Sequence, residues 1–440
     1  MVLQKPREIA VRILSRHSTG QAFLEEIVDR ELASSRLNPP DRALVQELCY
    51  GCVRWRATLD WLVERRTRER PSPALRAILD IGLYQIFWLD RIPNHAAVHA
   101  TVDVAHALDL GPQTGFINAL LRNYLRDVDA TRLELDALKS SHPALGWSHP
   151  EWLVQRWQDR LGPKATQAFL AWNNEPAPVF ARVNTLKTDP GKLIAAWREE
   201  GVDYDFARYA WIPENWLFRL RRHPPLSKLK SFSDGWFYIQ DPSTFLSVAL
   251  LDPAPGEEIL DLCAAPGGKA TLMAQRLDND GIIIASEPDA RRRQRLHEIC
   301  SRLAADVTVV EPEDPRAEGP FDAILLDAPC SNTGVLRRRI DARWRLSPET
   351  LAKSRALQLQ LIDHAVKQLR SGGRLIYSTC SVEPEENSDC VAAALAAHPS
   401  LKLEEVRELH PVRDGVDGAF AAKLLHLPTK PSMQAPSRKP

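Results

Sequence analysis

Up to about residue 140 the apolar positions recur at helical spacing. IAVRILSRH, AFLEEIVDREL, RALVQELCYGCVRW, LRAILDIGLYQIFWL and HAAVHATVDVAHAL each carry aliphatic or aromatic residues three and four apart, which predicts an all-α domain over 1–140. Asn38-Pro39-Pro40-Asp41 and Arg70-Pro71-Ser72-Pro73 interrupt that pattern. From Ser141 to Asp234 helical pieces mix with prolines, tryptophans and short strand-like runs such as PVFARVNT, predicting a linker and small α+β module over 141–234. From residue 235 the period changes again. EEILDLC, GIIIASE, DVTVVE, FDAILLDAP and GGRLIYSTC are short apolar runs, and ATLMAQRL, RRRQRLHEICSRL and PETLAKSRALQLQLIDHAVKQLR lie between them. Strand–helix alternation of this kind predicts a Rossmann-like α/β domain over 235–428, with a parallel sheet covered on both faces. Residues 429–440, rich in Pro, Ser and Lys, read as a disordered tail.

Charge narrows the partners. Lys plus Arg and Asp plus Glu are each 57 among 440 residues, so no partner is chosen by bulk charge, and a nucleic-acid surface has to be a local patch. No apolar run precedes a small-residue cleavage site at the N-terminus, and no run approaches the ~18 apolar residues of a membrane span. The seven cysteines are an odd number. Together these predict a cytoplasmic chain with free thiols, no secretory signal and no membrane partner. Cys49 and Cys52 have C-x-x-C spacing without a second pair and lie in a predicted helix. Cys300 and Cys390 read as small buried residues, and no His spacing suggests a ligand set. No metal is expected.

ILDLCAAPGGKATL reads as strand, small-residue loop and helix. Ala264, Ala265, Gly267 and Gly268 let a ligand approach the backbone, and the helix opening near Lys269 aims N–H groups at it. Glu287, twenty residues after Gly267, ends the next strand, a spacing that suits ribose hydroxyls. The loop lacks G-x-G-x-x-G. The P-loop pattern also fails, with Cys263 at its first glycine and Ala270 at its hydroxyl position. An adenosine-type cofactor without phosphates, S-adenosylmethionine, fits best; a βα turn with no ligand is the alternative. Asp327-Ala328-Pro329-Cys330 and Tyr377-Ser378-Thr379-Cys380 end two later strands, so Asp327 and both cysteines belong at the sheet end where ligands bind.

DLCAAPGGKA, LLDAPCSNTG and YSTCSVEPEEN resemble the S-adenosylmethionine-dependent RNA 5-methylcytosine methyltransferases, and among them the bacterial Sun/Fmu (RsmB-type) branch. That branch joins a NusB-like helical domain to the methyltransferase. Asp41–Gly51, Phe116–Asn123 and Asp417–Leu425 are similar to its other signatures, so the resemblance covers nearly the whole chain.

The resemblance implies formation of 5-methylcytosine in 16S rRNA or a small-subunit precursor, at cytosine 967 in conventional rRNA numbering, by a monomer. It makes Cys380 the nucleophile that adds to cytosine C6, has Cys330 assist product release, and puts Asp327 near the ring N3 edge, where a protonated carboxyl would donate a hydrogen bond. DNA enzymes use the Pro-Cys cysteine instead, so both motifs together favour RNA. Cys263, Ala264, Ala265, Pro266, Gly267, Gly268 and Lys269 would cradle the cofactor, Glu287 would hold its ribose, and Asp327 would also contact it. The adenine-side acid falls in Glu311-Pro312-Glu313-Asp314-Pro315, which departs from the family's Gly-Asp-Gly-like turn. Glu313 is chosen by position, with Asp314 as the alternative. The run Arg337, Arg338, Arg339, Arg343 after Cys330, with Trp344 to stack a base, is the expected RNA-binding surface. A second candidate is the basic stretch 219–230, whereas Arg291, Arg292, Arg293 and Arg295 read as solvated. A related enzyme for tRNA or another rRNA cytosine, and a non-catalytic RNA-binding assembly factor, are the rival readings.

Overall fold

A computed structural model describes residues 5–428; the tail expected at 429–440 lies outside them. The chain forms two compact units. One holds the chain through Pro176 together with Leu336–Arg345; the other holds Ala177–Val335 and the chain from Leu346 onward.

In the first unit the predicted breaks become helix starts. Asn38 accepts the Asp41 N–H at 2.9 Å ahead of helix Pro39–Arg54, and Ser72 accepts the Leu75 N–H ahead of helix Pro73–Trp88. In each case a proline occupies the first turn, where its missing N–H costs nothing. The apolar faces of these helices and of Pro6–Thr19, Leu24–Ala33, Arg56–Glu64, Asn94–Ala107 and Thr114–Arg126 close one core around Ile13, Leu48, Leu79 and Leu121. The all-α character is as expected. Helices Glu151–Leu161 and Pro163–Asn174, expected in the middle module, belong to this unit.

So does the arginine run expected to bind RNA. Ile340 is buried in the helical core. Arg343 is fully buried and donates to Ser148 O (3.2 Å), Asn174 Oδ1 (2.8 Å) and Asn173 O (2.9 Å). Burial, and then Arg54, lower its pKa to about 9. The Trp344 indole N–H donates to Val53 O at 2.8 Å, and the buried Arg337 lies over the Trp172 ring at 4.1 Å. Arg338 is half-buried with partners of its own, and the exposed Arg339 pairs with Glu25 at 2.8 Å. Asp341 accepts the Leu24 N–H at 2.8 Å. The segment anchors itself inside the helical unit; a buried guanidinium with neutral acceptors on two sides cannot also reach a phosphate. Arg343→Ala, which orphans those carbonyls, is expected to lower the stability of this unit by about 2–4 kcal/mol. Arg339→Ala should leave the urea midpoint unchanged, read by helical circular dichroism of the full chain. Equal midpoints for the two variants would contradict the anchor.

The second unit opens with a four-stranded antiparallel sheet of β1 (Val179–Val183), β2 (Asp203–Phe206), β3 (Leu217–Arg222) and β4 (Phe237–Ile239), in the order β2-β3-β1-β4. Trp197, from helix Pro190–Glu200, packs edge-on against Phe218 and Phe237 in its core. Its strands run from Val179 to Ile239.

The larger sheet has seven strands: β5 (Glu258–Leu262), β6 (Ile282–Ser286), β7 (Thr308–Val310), β8 (Phe321–Asp327), β9 (Leu369–Thr379), β10 (Leu401–Leu409) and β11 (Ala419–His426). Their order is β10-β11-β9-β8-β5-β6-β7; β5 to β9 are parallel and the last two antiparallel. Successive residues face opposite sides, which is why these strands read as continuous apolar runs. Leu260, Ile324 and Leu375 join Ile362 and Val391 on one face, whereas Ile259, Ala323 and Ile376 join Leu272 and Leu250 on the other. The chain reverses direction across the sheet between β5 and β8, and that crevice at the carboxyl ends is where an open α/β sheet binds ligands.

Candidate active site

The loop leaving β5 is shaped by its glycines and by backbone contacts. Cys263 and Gly267 have left-handed φ angles of 61° and 106°. The Gly267 N–H donates to Ala264 O at 2.9 Å, and the Ala264 N–H donates to Ser286 O at the end of β6. A Cβ on Gly267 would stand 2.6 Å from Leu296 Cδ1, so both conformation and space require glycine. Helix Gly268–Leu277 follows directly.

Glu287 is fully buried. Its Oε1 accepts from the Asp289 N–H at 3.1 Å and from Arg292 Nη1 at 3.2 Å, while Oε2 is buried without a hydrogen-bond partner. Arg292 also donates to Ala265 O at 3.0 Å, and Arg293 to Glu287 O at 2.8 Å. These two arginines, expected to be merely solvated, tie the loop to the end of β6. Lys269 forms an ion pair with Asp327, whose other oxygen accepts from Ser378 Oγ at 3.0 Å. Burial opposes the Lys269 charge, but the Asp327 carboxylate outweighs it and raises the ammonium pKa.

β8 and β9 are parallel neighbours with Asp327 opposite Ser378, so their following residues meet. Cys330 Sγ and Cys380 Sγ lie 3.3 Å apart. Asn332, itself left-handed at φ 61°, accepts from Cys380 Sγ at 3.3 Å and donates to Cys330 O at 2.8 Å. The Cys380 neighbour, and then burial, push the Cys330 thiol well above its ordinary pKa, so it is held as a thiol able to donate a hydrogen bond. The Gly334 N–H donates to Cys380 O and the Gly418 N–H to Gly334 O, both at 2.9 Å. The late Asp417-Gly418 signature thereby acquires its role: a Cβ on Gly418 would lie 2.7 Å from Gly334 Cα.

Comparison with known proteins agrees with this arrangement. The 16S rRNA methyltransferase RsmB/F family matches residues 248–433, the NusB family 4–126, and the ferredoxin-like domain of RsmF/B-like methyltransferases 149–214. Ribosomal RNA small subunit methyltransferase B of Cronobacter sakazakii is 36% identical over 433 residues, 93% of this chain and 98% of that protein. The chain belongs to the RsmB/F family of 16S rRNA methyltransferases. The Escherichia coli small subunit methyltransferase B is 34% identical over 432 residues, with 93% of this chain and 98% of that protein covered. A crystal structure of a methyltransferase homologue from Pyrococcus horikoshii is 29% identical and superposes with a TM-score of 0.56, covering 64% of this chain and 97% of that one.

Within this RsmB/F site the expected residues separate into groups. Cys263 through Lys269, Glu287, Asp327, Cys330 and Cys380 cluster at the carboxyl ends of β5, β6, β8 and β9. Glu313 follows β7 and is exposed, whereas Asp314 is engaged by Arg316, which holds its pKa at about 2. Two acids went unrecognised in the sequence. Asp261 in β5 is fully buried, both carboxyl oxygens lack a hydrogen-bond partner, and burial followed by Asp327 raises its pKa well above the carboxylate range. Its signal was a charged residue inside an apolar strand. Glu386, also fully buried, follows Cys380 in the motif YSTCSVEPEEN. Cys49, Cys52, Cys300 and Cys390 are buried free thiols. Among the described residues no group of three or more His, Cys, Asp or Glu side chains is arranged to hold a metal, and no helix is long and apolar enough to cross a membrane.

Proposed function

We propose that this chain methylates C5 of a cytosine in 16S rRNA, cytosine 967 in conventional numbering, using S-adenosylmethionine and a covalent adduct on Cys380. The observation that carries the reading is the pair of thiols 3.3 Å apart at adjoining parallel strand ends, beside a phosphate-free cofactor loop. The residues present fit the cofactor: Glu287 has a buried oxygen with no protein partner, suited to a ribose hydroxyl, and Gly267 keeps the loop backbone open. Cys263 to Lys269, Glu287 and Asp327 would hold it, and Glu313 would face its adenine side. When bound, S-adenosylmethionine supplies an electrophilic methyl group.

Cytosine C5 is a weak nucleophile on its own. The Cys380 thiolate forms a bond to C6, and the C5=C6 electron pair becomes that of an enamine, nucleophilic at C5. Asp327, held between Lys269 and Ser378, faces the N3 edge. After C5 is methylated its proton leaves to a general base, the C5–H pair re-forms C5=C6, and the S–C6 pair returns to Cys380. Cys330, kept as a thiol, assists release by hydrogen bonding to the departing sulfur.

With Arg337 and Arg343 buried, RNA contacts fall to exposed basic residues. Exposed Arg219 and Arg222 on β3 and Lys228 after it remain from the second basic stretch, and the NusB-like domain would help choose the RNA. The direct test is Cys330→Ala with unmodified 16S rRNA. A denaturation-resistant RNA–protein adduct should accumulate, because addition persists while release slows. If no adduct forms with Cys380 intact, the division of labour between the cysteines is wrong.

A further inference from the structure

Resting on the reading above, we propose that Glu386 is a positioning residue for product release, its carboxylate fixing the loop that presents the Cys330 thiol to the Cys380 sulfur. Glu386 ends the short turn Pro384–Glu386 and is fully buried. Its Oε1 accepts the Ser331 N–H at 2.9 Å and Gln358 Nε2 at 3.2 Å, and its Oε2 accepts the Ser331 hydroxyl. Gln358, from helix Pro348–Lys367, also donates to Pro329 O at 2.9 Å. The peptide groups on both sides of Cys330 are therefore held by one carboxylate–amide pair. A buried carboxylate is costly to desolvate and is retained only where neutral donors converge on it; here two of the donors, the Ser331 N–H and hydroxyl, come from the Cys330 loop itself.

The same cluster reaches the other cysteine. Ser331 Oγ lies 3.1 Å from Ser381 Oγ, and Ser381 Oγ lies 3.1 Å from Thr333 Oγ1. Cys380 has independent supports. It follows β9 directly, and Thr379 Oγ1 donates to Asn387 Oδ1 at 2.6 Å. Removing the Glu386 carboxylate therefore loosens Cys330 more than Cys380. Addition to C6 and the first methyl transfer should survive, and departure of the Cys380 sulfur should slow.

The experiment uses the full chain, labelled S-adenosylmethionine and unmodified 16S rRNA, with wild type, Cys330→Ala, Glu386→Ala and Glu386→Gln. Methylation is followed with enzyme in excess and again at steady state, and adducts are read on denaturing gels. For Glu386→Ala the first turnover should stay within about threefold of wild type. Steady-state turnover should fall roughly 10- to 100-fold, the scale of a misplaced reacting group, with adduct accumulating. Glu386→Gln keeps an acceptor for the Ser331 N–H and should recover part of the loss; it also carries the test if the alanine variant does not fold. Equal losses in both regimes without adduct would make Glu386 a structural residue and overturn the proposal, as would wild-type turnover. If Cys330→Ala forms an adduct and neither Glu386 variant does, this inference alone falls. If Cys330→Ala forms none, the cysteine assignment falls and takes this inference with it.

Discussion

Replacing Cys380 with alanine is expected to lower methyl transfer to 16S rRNA about a thousandfold or more, while cofactor affinity stays within about twofold of wild type. On the proposed mechanism the thiolate makes C5 nucleophilic, so its loss removes the covalent route rather than weakening binding. The cofactor loop does not depend on it: Cys263–Lys269 is shaped by its own backbone bonds and by Arg292. Side-by-side rate and calorimetric titrations check both halves. Residual activity within tenfold of wild type would shift the nucleophile elsewhere, with Cys330, 3.3 Å away, the first to examine.

The second large effect is expected at Gly267→Ala. Its φ of 106° strains any residue with a side chain, by about 1–3 kcal/mol. The added methyl would also meet Leu296 Cδ1 at 2.6 Å, and overpacking of that kind costs about 1–3 kcal/mol more. Leu296 is fully buried among Ala264, Ala265 and Ala270, so either it or the loop has to shift. Affinity for S-adenosylmethionine should fall about 10- to 100-fold, with a lower melting temperature. Gly372→Ala is the control: φ is also positive there, at 81°, but nothing lies within 4 Å of the added methyl. It should cost stability and leave cofactor affinity intact. Equal affinities for the two variants would mean that the loop does not bind the cofactor through its backbone.

The sheet and the glycine-bearing loop after β5 were legible because strand and helix periods differ and because the cysteines sit where strand runs stop. The antiparallel β10 and β11 were less visible: Leu401–Leu409 is largely exposed and its charges mask the strand pattern. What sequence could not show is which side chains fold inward over long separations. The arginine run after Cys330 reads as a basic surface, yet Arg343 is held by Ser148, Asn173 and Asn174. A buried guanidinium and a solvated one leave the same local sequence. Asp261 and Glu386 were missed for the converse reason. Acids are ordinarily exposed, and only tertiary packing reveals one buried without a hydrogen-bond partner and another gripped by the loop that carries Cys330.

The account is tested most directly by mapping, at base resolution, the product of wild-type protein with labelled S-adenosylmethionine and unmodified 16S rRNA. It predicts 5-methylcytosine at a single position, cytosine 967. Methylation confined to a ring nitrogen or a ribose hydroxyl would contradict the covalent C5 chemistry, and 5-methylcytosine appearing only in tRNA would contradict the substrate.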